Sequence, residues 1–229
     1  MPLSALSWNV SMPDIDRTKV RKSFDRGSCR YEDTVVVQKK VIEEIRCRLQ
    51  DFASSGLPLR ILDVGAGTGM LLRSLRTMFP AAFLAGIDLA PGMGSAALDK
   101  TVRDEKFLYV EGDAERLPFS DGTFDLVVST SAFQWLNTLD SAFSEALRVL
   151  SPGGTFLFAF FGEGTLCELN NSYRSALLSE NALDLDRSHR FFNRDTVVET
   201  LARLGFADIS VERSVEKEYY PDVFALLRS

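Results

Sequence analysis

Residues 60–69 of the chain read Arg60-Ile61-Leu62-Asp63-Val64-Gly65-Ala66-Gly67-Thr68-Gly69. An aliphatic run ends in three glycines at alternate positions, and apolar residues at helical spacing follow between Leu71 and Phe79. This pattern predicts a strand, a tight turn and a helix. Glycines at such a turn let a ligand lie against main-chain N–H groups at the start of the helix, so a nucleoside-containing cofactor is the first hypothesis.

The spacing of the glycines separates the classes of cofactor. A dinucleotide fingerprint needs its third glycine three residues after the second, and Met70 occupies that position here. The Gly-Lys-Ser/Thr ending of a Walker loop is also absent from this turn. Asp63 beside the loop instead suits a cationic ligand without phosphates. A generic glycine-rich turn of an α/β protein remains the alternative.

Composition indicates one globular domain of ordinary make-up. The chain has 229 residues, of which 25% are charged and 45% hydrophobic. It contains no apolar run long enough to span a membrane and no signal-peptide pattern in its first residues, so we expect a cytoplasmic protein without membrane association. Three widely spaced cysteines and one histidine argue against a disulfide framework, a hydrolytic triad and a metal centre.

Charge is unevenly distributed along the chain. The net charge of −6 argues against nucleic-acid binding. Between Arg17 and Arg48, however, the sequence contains ten Lys and Arg residues and five Asp and Glu residues, so this segment has a local charge of +5. This basic segment is either a docking face for an anionic partner or a solvated helix face of mixed charge.

Strand and helix patterns alternate five times along the chain, which predicts an α/β fold with a mostly parallel sheet and helices on both faces. We expect a flexible leader over residues 1–16 and a single domain over 17–229. Within the domain, residues 17–58 form an N-terminal helical cap and residues 162–192 an inserted helical lid. A break at 151–154 precedes the fifth strand, at 155–161. Residues 207–220 are partly strand-like, and a final strand is not evident.

Two acidic residues follow predicted strands and are candidate ligand contacts. Asp88 lies about twenty residues beyond the glycine loop, where a second strand presents a carboxylate to ribose hydroxyls. The alternative is a helix N-cap for the segment that starts near Pro91. Asp113 follows the third strand, and its alternative role is an Asx turn.

The hydrophobic strand, Asp63 and Gly-x-Gly-x-Gly together resemble motif I of the class I S-adenosylmethionine-dependent methyltransferases. The resemblance implies a Rossmann-like methyltransferase fold with S-adenosylmethionine as the cofactor. It also implies that Asp113 and Ala114 hold the adenine. The residues expected to bind the cofactor are Asp63, Gly65, Ala66, Gly67, Gly69, Asp88, Leu89, Asp113, Ala114 and Ser129.

The flanking segments narrow the resemblance. Residues 20–26 with Tyr31, Gln134-Trp135, the segment 164–169 and His189-Arg190-Phe191 resemble the malonyl-[acyl-carrier protein] O-methyltransferases of biotin synthesis. This implies methylation of the free carboxylate of malonyl-[acyl-carrier protein] or malonyl-CoA, with Tyr31, Gln134, Trp135 and Arg190 at the reaction site. A malonyl carboxylate is already ionised at pH 7, so no general base is required. We expect the enzyme to be monomeric.

Two other functions stay open at this point. A different small-molecule methyltransferase, acting on a quinone precursor or a small polycarboxylic acid, shares every cofactor motif. A non-catalytic sensor of S-adenosylmethionine keeps the same glycines and acids without turnover. Arg190 and the aromatic residues also have plainer alternatives, as a surface ion pair and as core residues.

Overall fold

The computed structural model describes residues 14–53, 59–100, 105–186 and 188–228. Residues 1–13 of the expected leader lie outside these ranges. Short 3-10 turns lie at Ser28–Arg30, Phe133–Trp135 and Leu183–Leu185. The helices are α1 (Arg17–Gly27), α2 (Tyr31–Thr34), α3 (Val37–Arg48), α4 (Gln50–Ala53), α5 (Met70–Met78), α6 (Pro91–Lys100), α7 (Asp140–Val149), α8 (Cys167–Ser179), α9 (Arg194–Leu204) and α10 (Val223–Arg228).

A five-stranded parallel sheet forms the centre of the fold. Its strands are β1 (Arg60–Val64), β2 (Phe83–Asp88), β3 (Phe107–Glu111), β4 (Phe124–Thr130) and β5 (Leu150–Ala159). They lie in the order β3-β2-β1-β4-β5, and each neighbouring pair is parallel. Chain order reverses at β1, so the carboxyl ends of β1 and β4 flank the crevice where ligands bind in sheets of this kind. The predicted α/β architecture with a parallel sheet is confirmed.

Helices cover both faces of the sheet because successive strand residues point to opposite sides. Leu71, Leu72 and Leu75 of α5 and Ile42 and Ile45 of α3 pack on one face. Helices α7 and α9 cover the opposite face. Side chains of β1 alternate between the two cores, with Ile61 in the first and Leu62 and Val64 in the second.

The fifth strand differs from its prediction. The sequence places a break at residues 151–154, yet β5 begins at Leu150. Phe124 pairs with Leu150 and Leu126 pairs with Thr155, so extra residues of β5 bulge out of the ladder. Gly153, with a φ of +79°, lies in this bulge. The predicted break is wrong because a bulge absorbs the Pro-Gly-Gly irregularity while strand pairing continues.

No strand forms over residues 207–220, all of which the structure describes. The segment is held through contacts outside the sheet. Glu212 pairs with Arg48 at 2.8 Å, Glu216 pairs with Lys40 at 2.6 Å, and the Val211 carbonyl accepts from Arg194. The strand prediction here is wrong because an extended chain becomes a strand only beside a partner strand, and this segment lies along α3.

The structure places helices in both segments flanking the sheet. In the N-terminal segment, Asp16 caps α1 by accepting the Lys19 N–H at 3.1 Å. In the segment 162–192, α8 has no buried residue, so it projects from the main body. Within the described ranges, no helix is both long and apolar enough to cross a membrane.

Candidate functional site

The glycine loop after β1 forms the floor of a cleft. Gly65, Gly67 and Gly69 have φ values of +74°, +53° and +77°, which side chains other than glycine rarely tolerate. A Cβ on Gly65 would lie 2.3 Å from the Ala132 Cβ, so the loop packs tightly against the segment after β4. A Cβ on Gly67 would meet nothing within 4 Å, because this position opens into the cleft.

Asp88, at the end of β2, ties the glycine loop to the next loop. Its Oδ2 accepts the Gly67 N–H and its Oδ1 accepts the Ala90 N–H, both at 2.9 Å. Burial raises the pKa of this carboxyl against the opposing effect of these backbone hydrogen bonds. Each carboxylate oxygen keeps a further lone pair, so Asp88 can brace the loop and still accept hydroxyls from a ligand.

Tyr109 of β3 is a supporting residue that the sequence did not reveal. Its hydroxyl donates to the Gly67 carbonyl at 2.6 Å, on the same loop that Asp88 holds through an N–H. Burial, followed by the charges of Asp88 and Asp63, raises the pKa of Tyr109, which keeps the phenol protonated. The only signal in the sequence was an aromatic residue in the strand beside β2.

Asp63 is buried at the end of β1 and only 1% exposed. Neither carboxylate oxygen has a hydrogen-bond partner among the described residues. Burial, and secondarily the charge of Asp88, raises the pKa of Asp63 to about 8. An unpaired buried carboxylate is unfavourable in its charged form, and a nearby cation reverses that preference. This position is therefore suited to a positively charged ligand.

Helix α1 forms one wall of the cleft. Arg17, Val20, Arg21 and Phe24 recur at helical spacing and line it. The glycine loop, Asp88, Leu89 and the segment 130–132 line the opposite side. The cleft is open to solvent, and the space within it is about 760 Å³ when the solvent at its mouth is included.

Ion pairs fasten α1 to the loop after β3. Arg17 binds Asp113 at 2.5 Å and also contacts Glu115, and Arg21 binds Glu111 at 2.8 Å. Burial opposes ionisation of Asp113, but Arg17 and the Glu115 N–H outweigh it, so its pKa lies below the usual value. Asp113 therefore faces Arg17.

Aromatic rings form the far end of the cleft. The Trp135 ring centroid lies 5.7 Å from that of Phe24, and Phe24 lies 6.1 Å from Tyr31. On its other side, Trp135 lies 5.1 Å from His189. Burial and the charge of Asp88 raise the pKa of Tyr31 to about 12, so its hydroxyl remains a hydrogen-bond donor at neutral pH.

The predicted site residues differ in position, and neither Asp63 nor Asp113 is among the residues that line the cleft. Tyr31, Gly65, Gly67, Asp88, Leu89, Ala114 and Trp135 line the cleft. Ala66, Gly69 and Ser129 support it from behind, and the Ser129 hydroxyl donates to the Val64 carbonyl at 2.7 Å within the sheet. Gln134 is 3% exposed and donates its amide to the Ser131 carbonyl at 2.6 Å. Arg190 is exposed and does not line the cleft.

Most of the basic segment is neutralised within the molecule. Arg17, Arg21, Lys40, Arg46 and Arg48 all form ion pairs with carboxylates. Among the residues that the structure describes, three exposed cations on or near the outer side of α1 have no carboxylate partner. These are Lys22, Arg26 and Arg30. We call these three residues the α1 basic patch. Lys39 of α3 is also exposed, and it donates to the Glu32 carbonyl at 2.6 Å rather than to a carboxylate.

Comparisons with known proteins agree with this architecture. A family model described as a methyltransferase domain matches residues 62–158. The chain is 53% identical over 215 residues to the malonyl-[acyl-carrier protein] O-methyltransferase of Geobacter sulfurreducens, covering 94% of this chain and 80% of that protein. It is 35% identical to the enzyme of the same name from Methylococcus capsulatus, covering 90% and 72%.

Solved structures show the same fold. A phosphoethanolamine N-methyltransferase from Haemonchus contortus, in complex with S-adenosyl-L-methionine, is 30% identical with a TM-score of 0.56, over 68% of this chain and 34% of that one. A possible histamine N-methyltransferase from Thermotoga maritima is 20% identical with a TM-score of 0.59, over 81% and 80%, and supports the fold alone. From the sequence relatives and this fold, the chain belongs to the malonyl-[acyl-carrier protein] O-methyltransferase family of S-adenosylmethionine-dependent methyltransferases.

Proposed function

We propose that this chain transfers the methyl group of S-adenosylmethionine to the free carboxylate of malonyl-[acyl-carrier protein], forming the malonyl methyl ester in biotin synthesis. The observation that carries the proposal is a glycine-floored cleft with an aromatic wall, together with the unpaired buried carboxylate of Asp63, two residues before the glycine loop. The identity of the acceptor is inferred from the names of the relatives at 53% and 35% identity.

The residues of the cleft fit S-adenosylmethionine. Gly67 leaves open space that any other residue would fill, and the unpaired Asp63 carboxylate suits the cationic ammonium and sulfonium of this cofactor. We assign the ribose hydroxyls to Asp88 and the adenine to the loop from Gly112 to Ala114. Asp113 contacts the adenine through the carboxylate that it also shares with Arg17. When bound, the cofactor supplies an electrophilic methyl group.

The aromatic wall provides the acceptor side of the site. Tyr31, Gln134 and Trp135 position the malonyl group and exclude water. Arg190, on the loop between the Leu183–Leu185 turn and α9, attracts the carboxylate towards the mouth of the cleft. Because the acceptor is already ionised at pH 7, these residues act by alignment, an effect that can be worth roughly 7 to 11 kcal/mol. Residues 162–192 act as the lid in this proposal.

The carrier protein contacts the α1 basic patch in this proposal. Lys22, Arg26 and Arg30 lie beside the cleft wall and keep their charges free for an anionic partner. We propose a monomeric enzyme in the cytoplasm that acts without nucleic acid or membrane. Three free cysteines, all exposed, favour a reducing compartment.

Transfer of labelled methyl from S-adenosylmethionine tests the function. Malonyl carrier protein, malonyl-CoA and acetyl carrier protein are compared at low and moderate salt. We expect a labelled ester only with a free malonyl carboxylate, and faster reaction with the carrier at low salt. If the cofactor binds and no ester forms, the acceptor is wrong; assays with quinone precursors and small polycarboxylic acids then separate another methyltransferase from a sensor.

A further inference from the structure

His189 lies on the loop between the Leu183–Leu185 turn and α9, and its imidazole is half-buried. Its ring centroid is 5.1 Å from that of Trp135, which lines the cleft, and 4.5 Å from that of Phe191. The neighbouring Arg190 is exposed. The loop therefore directs His189, and not Arg190, towards the aromatic wall.

The imidazole has one nitrogen without a partner. Its Nε2 is buried and makes no hydrogen bond to the described residues. Burial lowers the pKa of His189, whereas hydrogen bonding to the backbone of Gln134 raises it. A backbone group that favours the imidazolium is a carbonyl acceptor, so we assign the Gln134 carbonyl to Nδ1–H. In the neutral ring, Nε2 is then a bare lone pair; in the charged ring, it is a donor.

Two further unpaired polar atoms lie on the adjoining turn. The indole Nε1 of Trp135 and the Oε1 of Gln134 are buried and have no partner among the described residues. Buried polar atoms of this kind are uncommon in a finished protein interior, because each carries a desolvation penalty. Of the two, the Trp135 indole N–H is a donor and belongs to the ring that packs against His189, so this ring pair is a place for an acceptor group of a ligand.

We propose that His189 and the Trp135 indole N–H bind the carboxylate of the acceptor, and that His189 takes up a proton when this anion binds. A carboxylate accepts hydrogen bonds and requires donors, which the indole N–H and an imidazolium Nε2–H provide. The inference rests on the proposed function, since it assigns the recognition of the malonyl carboxylate within that site.

Among the residues that the structure describes, no carboxylate contributes to the pKa of His189. Trp135, Phe191 and the backbone of Gln134 are the groups that pack on the ring, and none is charged. On its own loop, Arg190 is a cation and Asp186 is paired with Arg174 at 3.2 Å. The counter-charge must therefore arrive with the acceptor.

The proton that His189 takes up has no part in the methyl-transfer step itself. A carboxylate oxygen forms a bond to the methyl carbon while the carbon–sulfur bond breaks, and its electron pair stays on sulfur. The ester product has no negative charge, so His189 releases its proton and loses its attraction for the product. This arrangement selects a free carboxylate over an acetyl group and favours release of the ester.

The single histidine of the chain makes a direct test possible. The imidazole resonances of the tag-free protein are followed by NMR against pH, with S-adenosylhomocysteine present and malonyl-pantetheine or acetyl-pantetheine added. We expect malonyl-pantetheine to raise the pKa of His189 by at least one unit and acetyl-pantetheine to leave it unchanged. An identical pKa with both compounds overturns the inference.

Kinetics of variants provide the second arm. H189F keeps an aromatic ring against Trp135 but no donor, and we expect a KM for malonyl carrier protein at least tenfold higher and independent of pH. The Kd for S-adenosylmethionine stays within twofold. H189Q restores a neutral donor and recovers part of the loss. Wild-type KM in H189F at every pH overturns the inference.

The two arms distinguish the two claims. A wild-type enzyme that esterifies malonyl carrier protein without any change in the His189 pKa supports the proposed function and removes His189 from carboxylate recognition. A malonyl-dependent rise in that pKa without ester formation supports the carboxylate site and removes the proposed reaction.

Discussion

The Arg17 Nη2 atom lies 2.5 Å from the Asp113 Oδ1 atom, which joins helix α1 to the loop expected to hold the adenine. The contact spans 96 residues of sequence and crosses the cleft wall. A cofactor that uses Asp113 must share this carboxylate with Arg17, so the ion pair links closure of α1 to occupation of the site.

Removing this contact is expected to accelerate cofactor release. In R17A, α1 loses its ion pairs with Asp113 and Glu115, and we expect the dissociation rate of S-adenosylmethionine to rise about tenfold. The same rate in wild type should increase with salt, because the pair is partly exposed. Stopped-flow measurements check both effects. K22A, on the outer side of the same helix, is the matched control; equal rates in R17A and K22A would contradict the role of the pair.

Asp63 should make cofactor binding and stability depend on pH. Its folded pKa of about 8 lies above the ordinary value of 3.8, so the folded chain holds a proton that the unfolded chain has released. The free energy of unfolding therefore falls as pH rises from about 4 to 8, whereas affinity for the cationic cofactor rises towards pH 8, as Asp63 ionises.

Replacing Asp63 separates these effects. We expect D63N to remove the fall in stability between pH 5 and 8 and to weaken S-adenosylmethionine binding at pH 8 by at least tenfold. Urea unfolding and calorimetric titration at both pH values provide the measurements. E199Q, at an exposed acid on α9, is the control. If D63N binds the cofactor as wild type does, Asp63 has no part in holding the positive charge.

Two alanine substitutions in the glycine loop should impair different properties, stability in G65A and cofactor binding in G67A. G65A combines a positive φ with a Cβ 2.3 Å from Ala132, and we expect at least about 2 kcal/mol of lost stability. G67A has open space around its Cβ, so its stability loss is limited to the backbone, about 1 to 2 kcal/mol. The new methyl group then occupies the cleft, and cofactor binding is lost in a folded protein. Unfolding curves and titrations distinguish the two; normal binding by G67A would place the cofactor elsewhere.

Charge reversal at the α1 basic patch tests the docking of the carrier protein. In K22E/R26E/R30E we expect the KM for malonyl carrier protein at low salt to increase about tenfold, because long-range attraction to an acidic partner becomes repulsion. The KM for malonyl-pantetheine, which lacks the carrier, should stay unchanged. K217E, at an exposed lysine of the C-terminal segment, controls for net charge. An equal increase in KM for malonyl carrier protein and malonyl-pantetheine would show that the carrier protein does not dock on α1.

Hydrophobic and glycine patterns in the sequence predicted those elements whose structure depends mainly on neighbouring residues in the chain. The glycine loop, its helix and the four apolar strands that follow could be anticipated, because burial on both faces of a parallel sheet produces continuous apolar runs. The start of β5 could not, since a bulge and a break have the same Pro-Gly-Gly signature. The segment 207–220 has strand-like composition, but strand formation depends on a neighbour that composition does not report.

The same limit applies to the site. Gly67 and Asp88 could be placed from the glycine motif and its spacing, and Ala114 from the family resemblance; all three line the cleft. The contact between His189 and Trp135 joins residues on separate segments, and no spacing rule connects them. Nor does the motif around Asp113 indicate that Arg17 will hold its carboxylate, because this ion pair exists only once α1 has folded over the cleft.

Trp135 contacts two separate segments, Phe24 of α1 on one side and His189 of the loop before α9 on the other. The acceptor side thus depends on the position of α1, the same helix that lines the proposed cofactor cleft. Substrates should therefore add in a compulsory order, with S-adenosylmethionine first and the malonyl group second. A malonyl group that arrives before S-adenosylmethionine finds an incomplete binding site. Formation of a dead-end complex between the enzyme and the acceptor alone is thereby avoided.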